Sequence, residues 1–247
     1  MYNDLSVVGT LIEDLKREGI FESSTLEENI VRIQTQQFLL LIYLPNTSRE
    51  QGDTDKKTIH LDIDVLNSSY TKVWKRLTGL MGKGARVYAR ETVVARLDKK
   101  VALDFLQEYH LNGALAGKYR YGLYYKGELV SVAVFSGGRI MHNINITYRS
   151  FELVRFCHKS DYLVVGGISK LIKAFIKDFK PNDIMTYSDM DWSQDSSLQK
   201  IGFVEEGMTE PQVFYVKEGL RLEYLVPKTQ YDYIVKNKGS LKLKLYV

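Results

Sequence analysis

The segment Val164-Val165-Gly166-Gly167-Ile168-Ser169-Lys170-Leu171-Ile172-Lys173-Ala174-Phe175-Ile176-Lys177-Asp178-Phe179 decides the fold. An apolar pair ends a strand and two glycines turn the chain. Leu171, Ile172, Phe175, Ile176 and Phe179 then recur at helical spacing until Pro181 stops the helix. A glycine-rich turn at a helix N-terminus aims several unpaired amides at one point, and pyrophosphate is the anion that suits them. Gly166 and Gly167 permit close backbone approach, while Ser169 and Lys170 add a hydroxyl and a positive charge. A tight turn with no ligand explains the same residues, so the reading depends on what surrounds them.

Upstream, residues 121–125, the Lys126-Gly127 turn and residues 128–135 predict a hairpin, and residues 150–156 a third antiparallel strand. Residues 87–94 read as a first strand. Residues 99–110 read as a helix whose stripe is Val101, Ala102, Phe105, Leu106 and Tyr109, ending at Asn112-Gly113. Downstream, 184–187, 203–206 and 213–216 read as strands and 196–200 as a short helix. Together these predict one α/β domain over residues 86–218, with a mixed, mostly antiparallel central sheet flanked by helices.

Residues 1–85 read as a small N-terminal α/β extension. It holds an amphipathic helix on Leu11, Ile12 and Leu15, a buried strand at 38–44 and a strand with one wet face at 59–65. Asp62 and Asp64 are alternate residues of that last strand and share a face; they suit Mg²⁺, but an exposed strand face explains them more simply. Residues 219–247 read as a basic tail packing on the domain. Arg221, Lys228, Lys236, Lys238, Lys242 and Lys244 are compatible with phosphate contact, though a solvated strand or helix face explains them more simply, and 241–245 predicts an edge strand whose lysines discourage pairing.

Composition sets broad limits. A 45% hydrophobic share supports a proper core, and the net charge of +4 permits nucleic acid or CoA phosphates without demanding either. Cys157 is the only cysteine, so no internal disulfide and no zinc-type cysteine pair exists; its strand-end position reads as core. Charges throughout residues 1–19 leave no apolar signal region, and no run is long enough to span a bilayer, so a cytoplasmic protein with no membrane partner is expected. The oligomeric state is left open.

The order of elements, closed by Leu198-Gln-Lys-Ile-Gly-Phe203, resembles that of the GNAT N-acetyltransferases, whose signature is Tyr-Glu-Lys-Leu-Gly-Phe. The resemblance implies acetyl-CoA or another acyl-CoA as cofactor and a small-molecule or peptide amine as substrate. Val165, Gly166, Gly167, Ile168, Ser169 and Lys170 would hold the pyrophosphate, and the strand with Leu153 and Phe156 would pair with the pantetheine arm. The loop departs from the family's Gln/Arg-x-x-Gly-x-Gly/Ala pattern, and the signature tyrosine, often the general acid, is Leu198 here.

Candidate catalytic groups are Glu152 or His110 as base and Tyr187 as acid. Simple alternation puts Glu152 and Arg155 on opposite faces of their strand, and an ion pair explains Glu152 as well as a base does. His110, after a helix, caps its C-terminus in the plainer reading. Tyr187, Asp189, Asp191 and Trp192 follow a strand end where an amine or a base would be received; a packed Trp with Asp caps is the competing account.

A second resemblance covers residues 59–216, through Arg86-Val-Tyr-Ala-Arg90, Tyr121-Gly-Leu-Tyr124, Glu152-Leu-Val-Arg-Phe156, Val165-Gly-Gly-Ile-Ser-Lys170 and Tyr187-Ser-Asp-Met-Asp-Trp192. These are similar to the C-terminal half of phage and bacterial homing-endonuclease-like proteins. It implies an upstream nuclease-like domain, for which residues 1–85 are too short, and a rival role as a nucleic-acid accessory protein using Arg86, Arg90 and Arg120.

Overall fold

A computed structural model describes residues 5–50, 56–192, 197–222 and 230–247. The chain forms two compact units, one from Met1–Trp74, Ser188–Ser196 and Met208–Leu241, the other from Lys75–Tyr187, Ser197–Gly207 and Lys242–Val247. This division differs from the expected boundaries at 85 and 218. Four of its crossings fall inside a helix and three strands, where no linker composition marks them.

The first unit opens with α1 (Ser6–Arg17), which buries Val8, Leu11 and Leu15. Antiparallel strands β1 (Phe21–Glu27), β2 (Ile30–Thr35) and β3 (Phe38–Tyr43) follow, and β4 (Lys57–Asp62) pairs with β3 in parallel. The expected wet-faced strand at 59–65 is corrected: β4 is buried from Thr58 onward and ends at Asp62, where α2 (Ile63–Leu80) begins. Both aspartates therefore lie in the interior, one at a strand end and one in the first turn of a helix.

The second unit begins with β5 (Ala85–Tyr88) and β6 (Val93–Arg96), which a 3₁₀ turn at Ala89–Glu91 separates where one strand was expected. Next come α3 (Lys99–Tyr109), β7 (Tyr119–Tyr125), β8 (Glu128–Phe135), β9 (Arg139–Ile140) and β10 (Arg149–His158). They lead to β11 (Tyr162–Val165), α4 (Gly167–Phe179), β12 (Asp183–Asp189) and β13 (Val204–Met208). Of the short helix expected at 196–200, residue 196 lies outside the described residues, and a 3₁₀ turn occupies Gln199–Ile201. Strand β14 (Val213–Lys217), expected as the last of the main sheet, instead pairs with β15 (Leu220–Arg221) and β16 (Tyr233–Lys236) in the first unit.

The main sheet runs β13-β17-β12-β10-β8-β7-β6, where β17 is Ser240–Tyr246, with β9 added on β10. From β6 to β10 the pairing is antiparallel; β10 then pairs with β12 in parallel. The expected mixed α/β class, with helices on a mostly antiparallel sheet, is observed. The expected edge strand at 241–245 is not an edge, because β13 lies outside it. One of its lysines, Lys244, sits 3.6 Å from the buried carboxylate of Asp183. No helix among the described residues is long and apolar enough to cross a membrane.

Strand β8 is buried on both faces, as its apolar run requires. Val132 and Val134 pack with Leu97, Ala102, Phe105 and Leu106 of the α3 layer, and Cys157 leans on the same cluster. On the other face Phe135 stacks on Phe175 of α4 at 3.9 Å between ring centroids, and Phe151 meets Phe175 edge-on. Each such ring contributes about 1.5–3 kcal/mol by leaving water.

Strand β10 carries one extra residue against β8: Leu153 pairs with Phe135, but Arg155 pairs with Val134. The bulge at Val154 reverses the alternation beyond it. Phe156 and His158 thereby join Leu153 on the α4 face, while Arg155 and Cys157 turn to the α3 face.

Candidate functional site

Strands β10 and β12 are paired only at Ser150, Phe151 and Glu152 with Asp183, Ile184 and Met185. One further tie, the Thr186 hydroxyl donating to the Leu153 carbonyl at 2.8 Å, closes the paired region. Beyond it β10 continues to His158 with β8 as its only partner strand among the described residues. The sheet is thus open along one side of residues 154–158, and the peptide groups on that side are available to an extended ligand.

The N-terminus of α4 lies against this stretch. Gly166 has φ +78°, which favours glycine, and the amides of Gly167, Ile168 and Ser169 precede the first helical bond, from Lys170 N–H to Gly166 O at 3.1 Å. A Cβ on Gly167 would stand 2.9 Å from His158 Cε1 and 3.0 Å from Val164 Cγ1, so a side chain there displaces its neighbours. Val165 is exposed. Lys170 is no free cation: its Nζ donates to the carbonyls of Ala89, at 2.7 Å, and Thr92. The charge expected from it is spent on fixing the 89–92 turn against the helix.

Beside these amides His158 Nδ1 lies 2.6 Å from Oγ of Ser131, a fully buried residue of β8, and Phe156 packs edge-on against the imidazole at 4.7 Å. Burial lowers the His158 pKa to about 4, so the ring is neutral at ordinary pH.

The structure also places the catalytic candidates. Glu152 is the last paired residue of β10, at the point where the strands part; its N–H donates to Ser136 Oγ at 2.9 Å, and its side chain is partly exposed. The bulge puts it on the same face as Arg155, correcting the expected opposition. The Arg155 guanidinium is held by the carbonyls of Gly113, Asn112 and Val154. Burial lowers the Arg155 pKa, and the charge of Glu152 works against that shift. His110 occupies the C-cap of α3, where its Nδ1 accepts the Asn112 N–H at 3.1 Å. Tyr187 is exposed on β12. Asp189 accepts the Asp191 N–H through Oδ1 at 2.9 Å, and Trp192 is buried.

A separate cluster in the first unit went unread in the sequence. Arg49 grips Asp62 with two bonds of 2.5 and 2.7 Å and Asp191 with two of 2.8 and 3.4 Å, while its guanidinium lies 4.4 Å over the Tyr43 ring. Arg221 bonds Asp64 at 2.7 Å and Asp62 at 2.6 Å. Tyr43 OH meets His60 Nδ1 at 2.7 Å. Burial raises Asp64 against the pull of Arg221 and raises Asp191 against that of Arg49; it lowers His60 to about 3. A cleft of about 420 Å³ opens beside Arg49, lined also by Asn46, Thr47, Ser48, Lys236 and Asn237. Arg49 does not signal such a role in sequence, since it stands in a polar, loop-like stretch.

Neither a family model nor a curated protein matches the sequence. Solved structures that align with it include Arabidopsis thaliana Naa50 in complex with a bisubstrate analogue, at 11% identity over 64% of this chain and 99% of that one, TM-score 0.44. The Escherichia coli ribosomal-protein-S18-alanine N-acetyltransferase aligns at 10% identity over 63% and 94%, TM-score 0.42. A GNAT family acetyltransferase from Elizabethkingia anophelis with acetyl-CoA bound aligns at 11% over 64% and 99%, TM-score 0.39. The last two are named as acetyltransferases, and the likeness concerns the fold alone.

Proposed function

We propose that the second unit is an acyl-CoA-dependent N-acyltransferase acting on a small-molecule or peptide amine. The observation that supports this best is the parting of β10 from β12 beyond Glu152 and Met185, beside a helix N-terminus whose first three amides have no partner among the described residues. The residues fit the cofactor: the open side of β10 from Val154 through Phe156 suits a pantetheine arm, with Leu153 at its start where Thr186 closes the paired region, and Gly167, Ile168 and Ser169 offer amides to a pyrophosphate, with Gly166 allowing the turn and Val165 lining its approach. Bound acyl-CoA would supply the thioester. In this reading Glu152 takes a proton from the acceptor amine, Tyr187 holds one for the departing thiolate, and His110 shapes the turn that follows α3.

The rival reading, a nucleic-acid accessory protein of phage origin, draws less support. Arg120 donates to the carbonyls of Leu97, Ala116 and Gly117, Arg221 is bound to two aspartates, and Lys244 faces Asp183, so these cations are already occupied.

Calorimetric titration with acetyl-CoA tests the proposal, using Ser169→Asp as the variant. A carboxylate in the first turn stabilises α4 while repelling phosphate. Micromolar binding that falls at least tenfold in the variant is expected; equal binding by both proteins, or none by either, overturns the reading.

A further inference from the structure

The Ser131–His158 pair lies outside the roles assigned above. Ser131 interrupts the apolar run Leu129-Val-Ser-Val-Ala-Val-Phe135, is fully buried, and spends its hydroxyl on His158 Nδ1. A buried hydroxyl in a core strand is costly unless it is bonded, so the pair fixes the ring's orientation. The bulge at Val154 is what turns His158 toward α4 at all; regular alternation would present Cys157 there. The ring carbon that abuts Gly167 is Cε1, which is bonded to both nitrogens. With Nδ1 held by Ser131, Nε2 is the nitrogen left at the helix end, and it has no partner among the described residues.

We propose that His158, oriented by Ser131, donates its Nε2–H to a phosphate seated on the Gly167, Ile168 and Ser169 amides, so that this seat reads phosphate through a side chain as well as backbone. When Ser131 donates to Nδ1, the neutral ring carries its proton on Nε2 and becomes a fourth donor aimed at the anion. A neutral donor also keeps phosphate affinity level across physiological pH, where an imidazolium would make it fall as pH rises. The inference rests on the acyl-CoA reading only for the identity of the phosphate carrier.

The test compares acetyl-CoA with S-acetyl-pantetheine, which lacks the pyrophosphate, on the full chain and on His158→Leu and Ser131→Ala. His158→Leu should weaken acetyl-CoA roughly tenfold, Ser131→Ala several-fold, and neither should alter S-acetyl-pantetheine binding. Equal losses on both ligands, or no loss on acetyl-CoA, overturn the proposal. Nitrogen-15 histidine spectra of the unmutated protein give a readout independent of folding in the variants: inorganic pyrophosphate should shift the His158 Nε2 resonance, and an unmoved resonance also overturns the proposal. If acetyl-CoA does not bind the unmutated protein, the acyltransferase reading fails by itself, and the pyrophosphate spectrum alone then decides the role of His158.

Discussion

Glu152 and Arg155 share a face of β10 because Val154 is an extra residue between them, and they differ in what holds them. Arg155 is tied to three main-chain carbonyls, whereas Glu152 is partly exposed where the strands part. If Glu152 is the base, Glu152→Gln lowers acyl-transfer turnover by about 10²-fold and leaves acetyl-CoA affinity and thermal midpoint unchanged. A fall in midpoint with turnover intact would instead make Glu152 a structural partner of Arg155. Steady-state rates and a melting curve on the same preparation separate the two.

The Arg49 cluster should behave as a buried ion network. Its partners Asp62 and Asp191 are almost fully enclosed, so removing the guanidinium takes the cation from Asp191 and leaves Asp62 with Arg221 alone in a low-dielectric interior. Arg49→Met is expected to cost about 3–5 kcal/mol in urea unfolding. Arg49→Lys should recover little, because one ammonium does not reproduce the two-pronged bond to Asp62. The exposed Lys16–Glu13 pair gives the contrast: Lys16→Ala should change stability by less than about 0.5 kcal/mol.

The main elements were legible wherever burial is periodic. Leu171, Phe175 and their neighbours announce α4, and the apolar run of β3 announces a strand enclosed on both faces. Strand β1 was not legible, since six of its seven residues are exposed and Glu22-Ser-Ser-Thr25 shows no apolar alternation. The bulge was equally hidden. An extra residue at Val154 leaves no compositional trace, yet it decides whether Cys157 or His158 faces α4. The Arg49 cluster joins residues 142 positions apart in sequence, a distance at which no local pattern carries information.

Strand β17 is interior, which gives Lys244 a different role from its neighbour Lys242. Asp183, fully buried, accepts bonds from the hydroxyls of Ser150 and Tyr148 and lies 3.6 Å from Lys244 Nζ. Lys244→Met removes the nearby positive charge and should destabilise the second unit by about 1–3 kcal/mol. Lys242→Met should stay within about 0.5 kcal/mol. Thermal melts of the two variants test this, and equal midpoints would show that Lys244 is as dispensable as a solvated edge lysine.

Acid sensitivity follows from two histidines that the fold holds neutral, His60 fully buried and His158 half-buried. In the unfolded chain histidine titrates near pH 6.5, as a free imidazole does. Burial holds His60 at about 3 and His158 at about 4 in the native protein. Below pH 6.5 the unfolded chain therefore binds protons that the native chain refuses, and stability falls as pH falls, until the folded pKa values are reached. Between pH 7 and 5.5 each histidine accounts for about 1 kcal/mol. Asp64 and Asp191 act in the opposite sense: burial raises them, so the native chain takes up those protons more readily, and protonating them on acidification relieves a cost. That relief comes as pH falls through their raised folded values and is complete below the unfolded carboxylate value near 4. Urea unfolding at pH 7 and 5.5 should show the loss, and His60→Gln should reduce it by the share of one histidine. A variant that keeps the full slope would mean that His60 is protonated in the native state, and the enclosed Tyr43–His60 contact would then have to open in mild acid.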